Sequence, residues 1–183
     1  MPAKACRERT EAGNTNGRRP AQFAGDTNSL EEEIKATIRM ACPEDIPELA
    51  RLNAAFNGGN ESAAALAERF ADPRRVEWPI VAEVGGRLVG FAALRLAPGL
   101  FYPEPHAEMT ELYVEDACRR QGIGRELVKF VECMAVDIGA HELWLMTGLE
   151  NHDAQEFYRS LGYDHQDLAL SKEFERSEND DCS

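Results

Sequence analysis

The 183-residue chain has no apolar run long enough to cross a bilayer, and no apolar segment ahead of a small-residue cleavage site near its start. Neither a membrane span nor a secretory leader is expected, and a cytoplasmic location follows. The five cysteines, Cys6, Cys42, Cys118, Cys133 and Cys182, are odd in number, widely spaced and include no CxxC pair. That pattern speaks against a disulfide framework and against a zinc site, so reduced thiols and no metal are expected. Positive charge is scarce too: 20 Lys and Arg stand against 33 Asp and Glu, a net −13 at pH 7. Residues 34–170 alone hold 13 basic and 22 acidic side chains, so the imbalance does not come from the ends of the chain. Such a surface repels nucleic acid and favours cationic partners, or simply keeps the protein in solution. Two nucleotide signatures are also missing. No Lys-Ser or Lys-Thr follows the glycines at 122 and 124, which excludes a triphosphate P-loop, and the three spaced glycines of a dinucleotide site are absent.

What is present suits one domain. Residues 1–33 are rich in Ala, Gly, Asn, Arg and Thr, poor in large apolar residues, and end in Glu31-Glu32-Glu33, which reads as a disordered extension. Residues 34–170 are long enough to bury a core, and the polar, acidic stretch 171–183 reads as a loose tail. Within the domain, Thr37–Met40 begins a first strand, and Pro43-Glu44-Asp45 opens a helix running to about Phe56. Ser62 is a helix cap ahead of Ala63–Ala71. Pro79–Val84 and Leu88–Leu96 flank Gly85-Gly86 as a β-hairpin. The three prolines of Pro98–His106 mark a loop, and an alternating stretch, Thr110–Val114, follows it. A helix over Gly124–Ile138 should stop at Gly139. A strand at Leu143–Thr147, a short helix at Asp153–Leu161 and an edge strand at Tyr163–Leu170 complete the pattern.

The run Arg119-Arg120-Gln121-Gly122-Ile123-Gly124 lies between a strand and an amphipathic helix. A helix start offers N–H groups with no intrahelical partner and the positive end of the macrodipole, so an anion fits there. Gly122 and Gly124 let the main chain come close to a diphosphate, and Arg119, Arg120 and Arg125 can add charge-assisted hydrogen bonds. Arg119, Gly122 and Gly124, after a strand ending Glu111-Leu112-Tyr113-Val114, resemble the acyl-CoA signature of the GCN5-related N-acetyltransferases, the GNAT family. Asn151, Ala154, Phe157 and Tyr158, followed by Leu161-Gly162-Tyr163, resemble that family's next motif. The likeness covers about Ala36 to Leu170.

This resemblance implies an α/β (α+β) fold, a central, mostly antiparallel mixed sheet flanked by helices and splayed where acetyl-CoA enters. It also implies direct attack of an amine on the acetyl thioester. Leu112, Tyr113 and Val114 would offer backbone groups to the pantetheine arm, and the stretch Arg119, Arg120, Gln121, Gly122, Ile123, Gly124 and Arg125 would hold the diphosphate. Asn151 would bond the pantetheine region or fix the turn before its helix. Tyr158 would be the acid for the departing thiolate, the alternative being a core tyrosine beside Phe157. Glu108 and Glu111 are both candidate bases. Three residues apart, they face opposite sides of a regular strand, although the family often has a bulge near this strand's end, which changes that facing. His106 could act as base or shuttle, or be a surface loop residue. Cys118 is incidental, because direct transfer needs no thiol nucleophile. The acceptor expected is a small polyamine- or aminoglycoside-like amine; alternatives are a protein or peptide amine, or a non-catalytic acyl-CoA sensor. The family often dimerises, so a homodimer is possible, but no feature of the sequence fixes the oligomeric state.

Overall fold

Two glycines at the tip of a hairpin set the frame of the sheet. Gly85 and Gly86 both have positive φ, and they join strand β2 (Glu77–Val84) to strand β3 (Arg87–Ala97). The computed structural model describes residues 35–59 and 61–174. Strand β1 (Thr37–Met40) pairs with β2 on one side, and β4 (His106–Val114) pairs with β3 on the other, all antiparallel. Short β5 (Leu143–Leu145) runs parallel to β4, giving the order β1-β2-β3-β4-β5. The described residues up to Met146 form one compact unit, and those from Thr147 form a second.

In the first unit the strands bury alternating side chains on both faces. Val81 and Phe91 point to one face and pack with Leu88 against Leu49 and Leu52 of helix α1 (Ile46–Asn57). A 3-10 turn at Pro43–Asp45 feeds α1, and Gly58, left-handed at φ 64°, ends it. Helix α2 (Ala63–Ala71) begins where Ser62 accepts a hydrogen bond from the Ala65 N–H at 3.1 Å, the cap its sequence promised. On the opposite face lie Ile80, Ala92 and Leu94, fully buried. Helix α3 (Ile123–Asp137) crosses four strands and presents the buried stripe Ile123, Leu127, Val131 and Ala135, spaced four apart. Each such Leu or Val contributes about 1.5–3 kcal/mol through removal from water. Gly139, at φ 91°, follows the helix end.

An ion-pair network fastens the entry of α1 to the sheet. Arg39 on β1 bonds Asp45 through two nitrogens, at 2.6 and 2.9 Å, and Glu83 on β2 at 2.8 Å. Asp45 is buried, and the Arg39 guanidinium holds its carboxyl down at about 2.

The second unit holds helix α4 (His152–Arg159). The edge strand expected at Tyr163–Leu170 does not form, and β5 ends at Leu145. Asp164-His165-Gln166-Asp167 break the alternation, and Leu168 and Leu170 stay exposed, so this stretch has no apolar face to pair on a sheet. Residues 171–174 are irregular and exposed. The extension read at 1–33 and the tail from 175 onward lie outside the described residues.

Candidate active site

Strand β4 carries a bulge that decides which carboxylates share a face. Leu94 pairs with Met109 and Ala93 with Glu111, so Thr110 is the extra residue. Glu108 pairs with Arg95 and Glu111 with Ala93, and those two β3 residues point the same way. Glu108 and Glu111 therefore lie on one face, the α1 face. Arg95 binds Glu108 at 3.0 Å and reaches Glu77 at 3.5 Å. Burial raises the Glu111 pKa; hydrogen bonding from the Asn57 amide opposes this, the nearby Glu77 charge adds to it, and Arg95 opposes it. Burial thus makes Glu111 a stronger base than an ordinary exposed carboxylate.

Beyond the bulge, β4 loses its neighbour on one side. Its pairs with β5 stop at Met109 and Leu145, so Glu111–Val114 are paired only with β3. Glu115 N–H donates to Val89 O at 2.9 Å, and by ladder alternation the backbone groups of Leu112 and Val114 point away from β3. The sheet is splayed at this point. Glu115 also pins the strand's end, pairing with Arg87 at 2.6 Å and with Arg51 of α1.

The chain then makes a 3-10 turn at Asp116–Cys118 and enters α3 through an irregular loop. Arg120 has φ 64° and Gly122 φ 82°. A Cβ at Gly122 would meet nothing within 4 Å, so glycine is favoured there by its dihedral and not by space. Gly122 precedes the helix with no side chain capping it, so the first N–H groups of α3 face outward at the positive end of the dipole. Gln121 donates to Ala117 O at 3.2 Å and closes the turn. Arg119 folds back: its Nε donates to Val114 O at 2.9 Å, its guanidinium pairs with Asp116 at 2.9 Å, and it lies 5.8 Å from the centre of the Tyr113 ring. Arg119 thereby acts as a brace for the loop, while Arg120 and Arg125 are exposed beside the helix start. An anion of diphosphate size fits a left-handed turn of this kind with open N–H groups.

In the second unit, Asn151 Oδ1 accepts from the Ala154 N–H at 3.2 Å and caps α4. Gln155 holds the preceding turn through Gly148 O and Leu149 O, at 3.0 and 2.8 Å. Tyr158 sits between two rings, 5.2 Å from Phe157 and 5.8 Å from Tyr163, centre to centre. Burial pushes its phenol up to about 12. It is therefore a fully protonated donor at neutral pH.

A family model described as the acetyltransferase (GNAT) family matches residues 45–163. The chain belongs to the GNAT family. A D-amino-acid N-acetyltransferase of Saccharomyces cerevisiae is 31% identical over 105 residues, which cover 56% of this chain and 65% of that protein. Just under two thirds of that relative's length is thus matched. Among solved structures, an aminoglycoside acetyltransferase from an uncultured soil metagenomic sample, in complex with trehalose, superposes with a TM-score of 0.68 at 19% identity, covering 78% of this chain and 97% of that one. The aminoglycoside N-acetyltransferase AAC(6')-Iy in complex with CoA gives a TM-score of 0.66 at 18% identity, covering 79% and 96%. At those identities the two structures share the fold with this chain. The mixed, mostly antiparallel sheet with flanking helices is thus the GNAT architecture the sequence resembled.

In this GNAT chain, one continuous path, β4 to the start of α3, holds Glu108, Glu111, Leu112, Tyr113, Val114 and the stretch Arg119–Arg125. Asn151 and Tyr158 belong to the second unit. Motif reading missed Glu77, Arg95, Thr110 and Asn57, which surround Glu108 and Glu111. Only the extension of β2 back to Glu77, two residues ahead of the expected Pro79, could have hinted at them. His106 opens β4, exposed, 6.1 Å from the Trp144 ring. Among the described residues there is no group of three or more His, Cys, Asp or Glu that could hold a metal, and no helix long and apolar enough to cross a membrane.

Proposed function

We propose that this GNAT chain transfers the acetyl group of acetyl-CoA to a primary amine of a small cationic molecule, polyamine- or aminoglycoside-like, in the cytoplasm. The observation that carries the reading is the β4 bulge, which sets a half-buried, unusually basic Glu111 on the strand that continues into the splayed edge and the phosphate-type loop. Base and donor site then share one element. The N–H groups at the start of α3, with Arg120 and Arg125, hold the diphosphate, and Leu112 and Val114 bond the pantetheine arm and the thioester oxygen. Glu111 takes a proton from the acceptor ammonium. The freed nitrogen lone pair attacks the acetyl carbon, the new C–N bond forms, the C–S bond breaks, Tyr158 donates a proton to the leaving thiolate, and the second proton lost from the nitrogen restores the Tyr158 phenol.

On the α1 face the carboxylates of Glu77, Glu108 and Glu111 cluster around a single guanidinium, that of Arg95, and this local excess of negative charge favours a cationic acceptor. The small-molecule acceptor named for the yeast relative, a D-amino acid, is in line with a small acceptor. The test is free-thiol release from acetyl-CoA against polyamines, aminoglycosides, amino acids and lysine peptides, with an Arg120→Glu/Gly122→Asp double variant as control. Release with a small cationic amine, lost in the control, is the expected result. Release only with peptides transfers the reading to a protein acetyltransferase, and acetyl-CoA binding with no release transfers it to a sensor.

A further inference from the structure

Thr110, the bulged residue, is tied to a strand it does not neighbour. Its Oγ1 donates to Glu77 Oε1 of β2 at 2.6 Å, reaching across β3, and lies 3.4 Å from Ala93 O. Glu77 Oε1 is in turn 3.5 Å from an Arg95 nitrogen, and the other terminal nitrogen of Arg95 binds Glu108 at 3.0 Å. Four side chains on three strands thus form one polar ladder, on the face that Glu111 shares. The Glu108 carboxylate is ion-paired in it, while among the described residues Glu111 is paired to no cation and meets the neutral Asn57 amide of α1. The charged groups acting on Glu111 are Glu77 from β2 and Arg95 from β3, Glu108 of β4 shares its face, and Asn57 of α1, which hydrogen-bonds to it, carries no charge.

We infer that Thr110, Glu77 and Arg95 are positioning residues for the base: the Thr110–Glu77 hydrogen bond locks the bulge that turns Glu111 onto the acceptor face, and the Glu77/Arg95 pair sets the field in which its carboxyl works. This inference rests on Glu111 being the base. A bulge held only by its own two strands can relax by slipping one residue, which would return Glu111 to the other face. The hydroxyl bond to β2 removes that freedom. The two members of the ion pair act on Glu111 in opposite senses, since a negative neighbour makes a carboxyl harder to ionise and a positive neighbour makes it easier.

The experiment is the pH dependence of kcat/KM for the full chain, using acetyl-CoA and the best amine from the thiol-release panel. Arg95→Gln should move the acidic limb of the profile to higher pH, and Glu77→Gln should move it to lower pH, each by about half a unit. A glutamine at 77 still accepts the Thr110 hydroxyl, so its effect reports charge. Thr110→Val should lower kcat at least about tenfold with the acetyl-CoA KM unchanged, and Thr110→Ser should restore it. Damage to folding alone moves neither limb in opposite directions; a thermal melt of each variant checks the folded fraction. Shifts of the same sign, or none, or a Thr110→Val enzyme with wild-type kcat, would overturn the inference while Glu111→Gln is inactive. Should Glu111→Gln keep wild-type turnover, the base assignment itself is wrong and the inference goes with it.

Discussion

Asp45→Asn isolates the charge that anchors α1. The carboxyl is buried, with 8% of its side chain exposed, and its pKa falls from the usual 3.8 to about 2, chiefly through the Arg39 hydrogen bonds. That difference corresponds to about 2 kcal/mol. Because 34% of the Arg39 side chain remains in contact with water, screening reduces the expected figure to about 1–2 kcal/mol. The asparagine keeps the shape and can still accept the Cys42 N–H, and Arg39 retains Glu83, so the substitution removes charge without orphaning its partner. Since the folded state depresses this pKa, the stabilisation is complete well above 3.8 and is lost as pH falls toward 2. Urea unfolding followed by tryptophan fluorescence should show the variant less stable by about 1–2 kcal/mol at pH 7, and the gap should shrink to about half by pH 3. A gap that stays constant with pH would mean that Asp45 acts through packing, and no gap at pH 7 would remove it from the account of how α1 is held. The anchor bears on function because α1 delivers Asn57 to Glu111.

Tyr158→Phe should lower kcat by about 10²-fold or more while the acetyl-CoA dissociation constant, read by calorimetry, stays the same; undiminished turnover would rule out the phenol as acid. With its pKa up at about 12, Tyr158 should produce no basic limb in the wild-type rate profile below pH 10, which a pH series checks directly. Gly90→Ala should destabilise the chain by about 1–3 kcal/mol in urea and raise the acetyl-CoA KM, because its Cβ would lie 2.7 Å from Tyr113 O and force β3 from β4 at the splayed edge. An alanine variant with unchanged stability and KM would show that this edge gives way without cost.

Local chemistry made much of the fold readable. Gly85-Gly86 announced the hairpin, Ser62 the start of α2, and the stripe ending at Gly139 the length of α3, each a rule acting over a few residues. Tyr163–Leu170 was expected as an edge strand, yet its polar run Asp164-His165-Gln166-Asp167 leaves no alternating apolar face, and no strand forms there. Other failures came where distance along the chain mattered. The facing of Glu108 and Glu111 was undecidable because it depends on a bulge fastened through Thr110 to Glu77, 33 positions earlier. Arg119 looked like one more cation beside the glycines; its bond to Val114 O could be seen only once the turn was built.

That bond turns the loop and the strand into a gauge. With Arg119 bonded to Val114 O, paired with Asp116 and lying near the Tyr113 ring, the start of α3 is tied to the end of the β4 edge. The span between them is set by the protein. On the proposed reading, a thioester is selected for its length as well as its headgroup: a donor shortened or extended between diphosphate and sulfur would still dock its phosphates, but would bring the wrong atom to Glu111 and its amine, a misplacement that costs about 10²-fold in rate for each ångström.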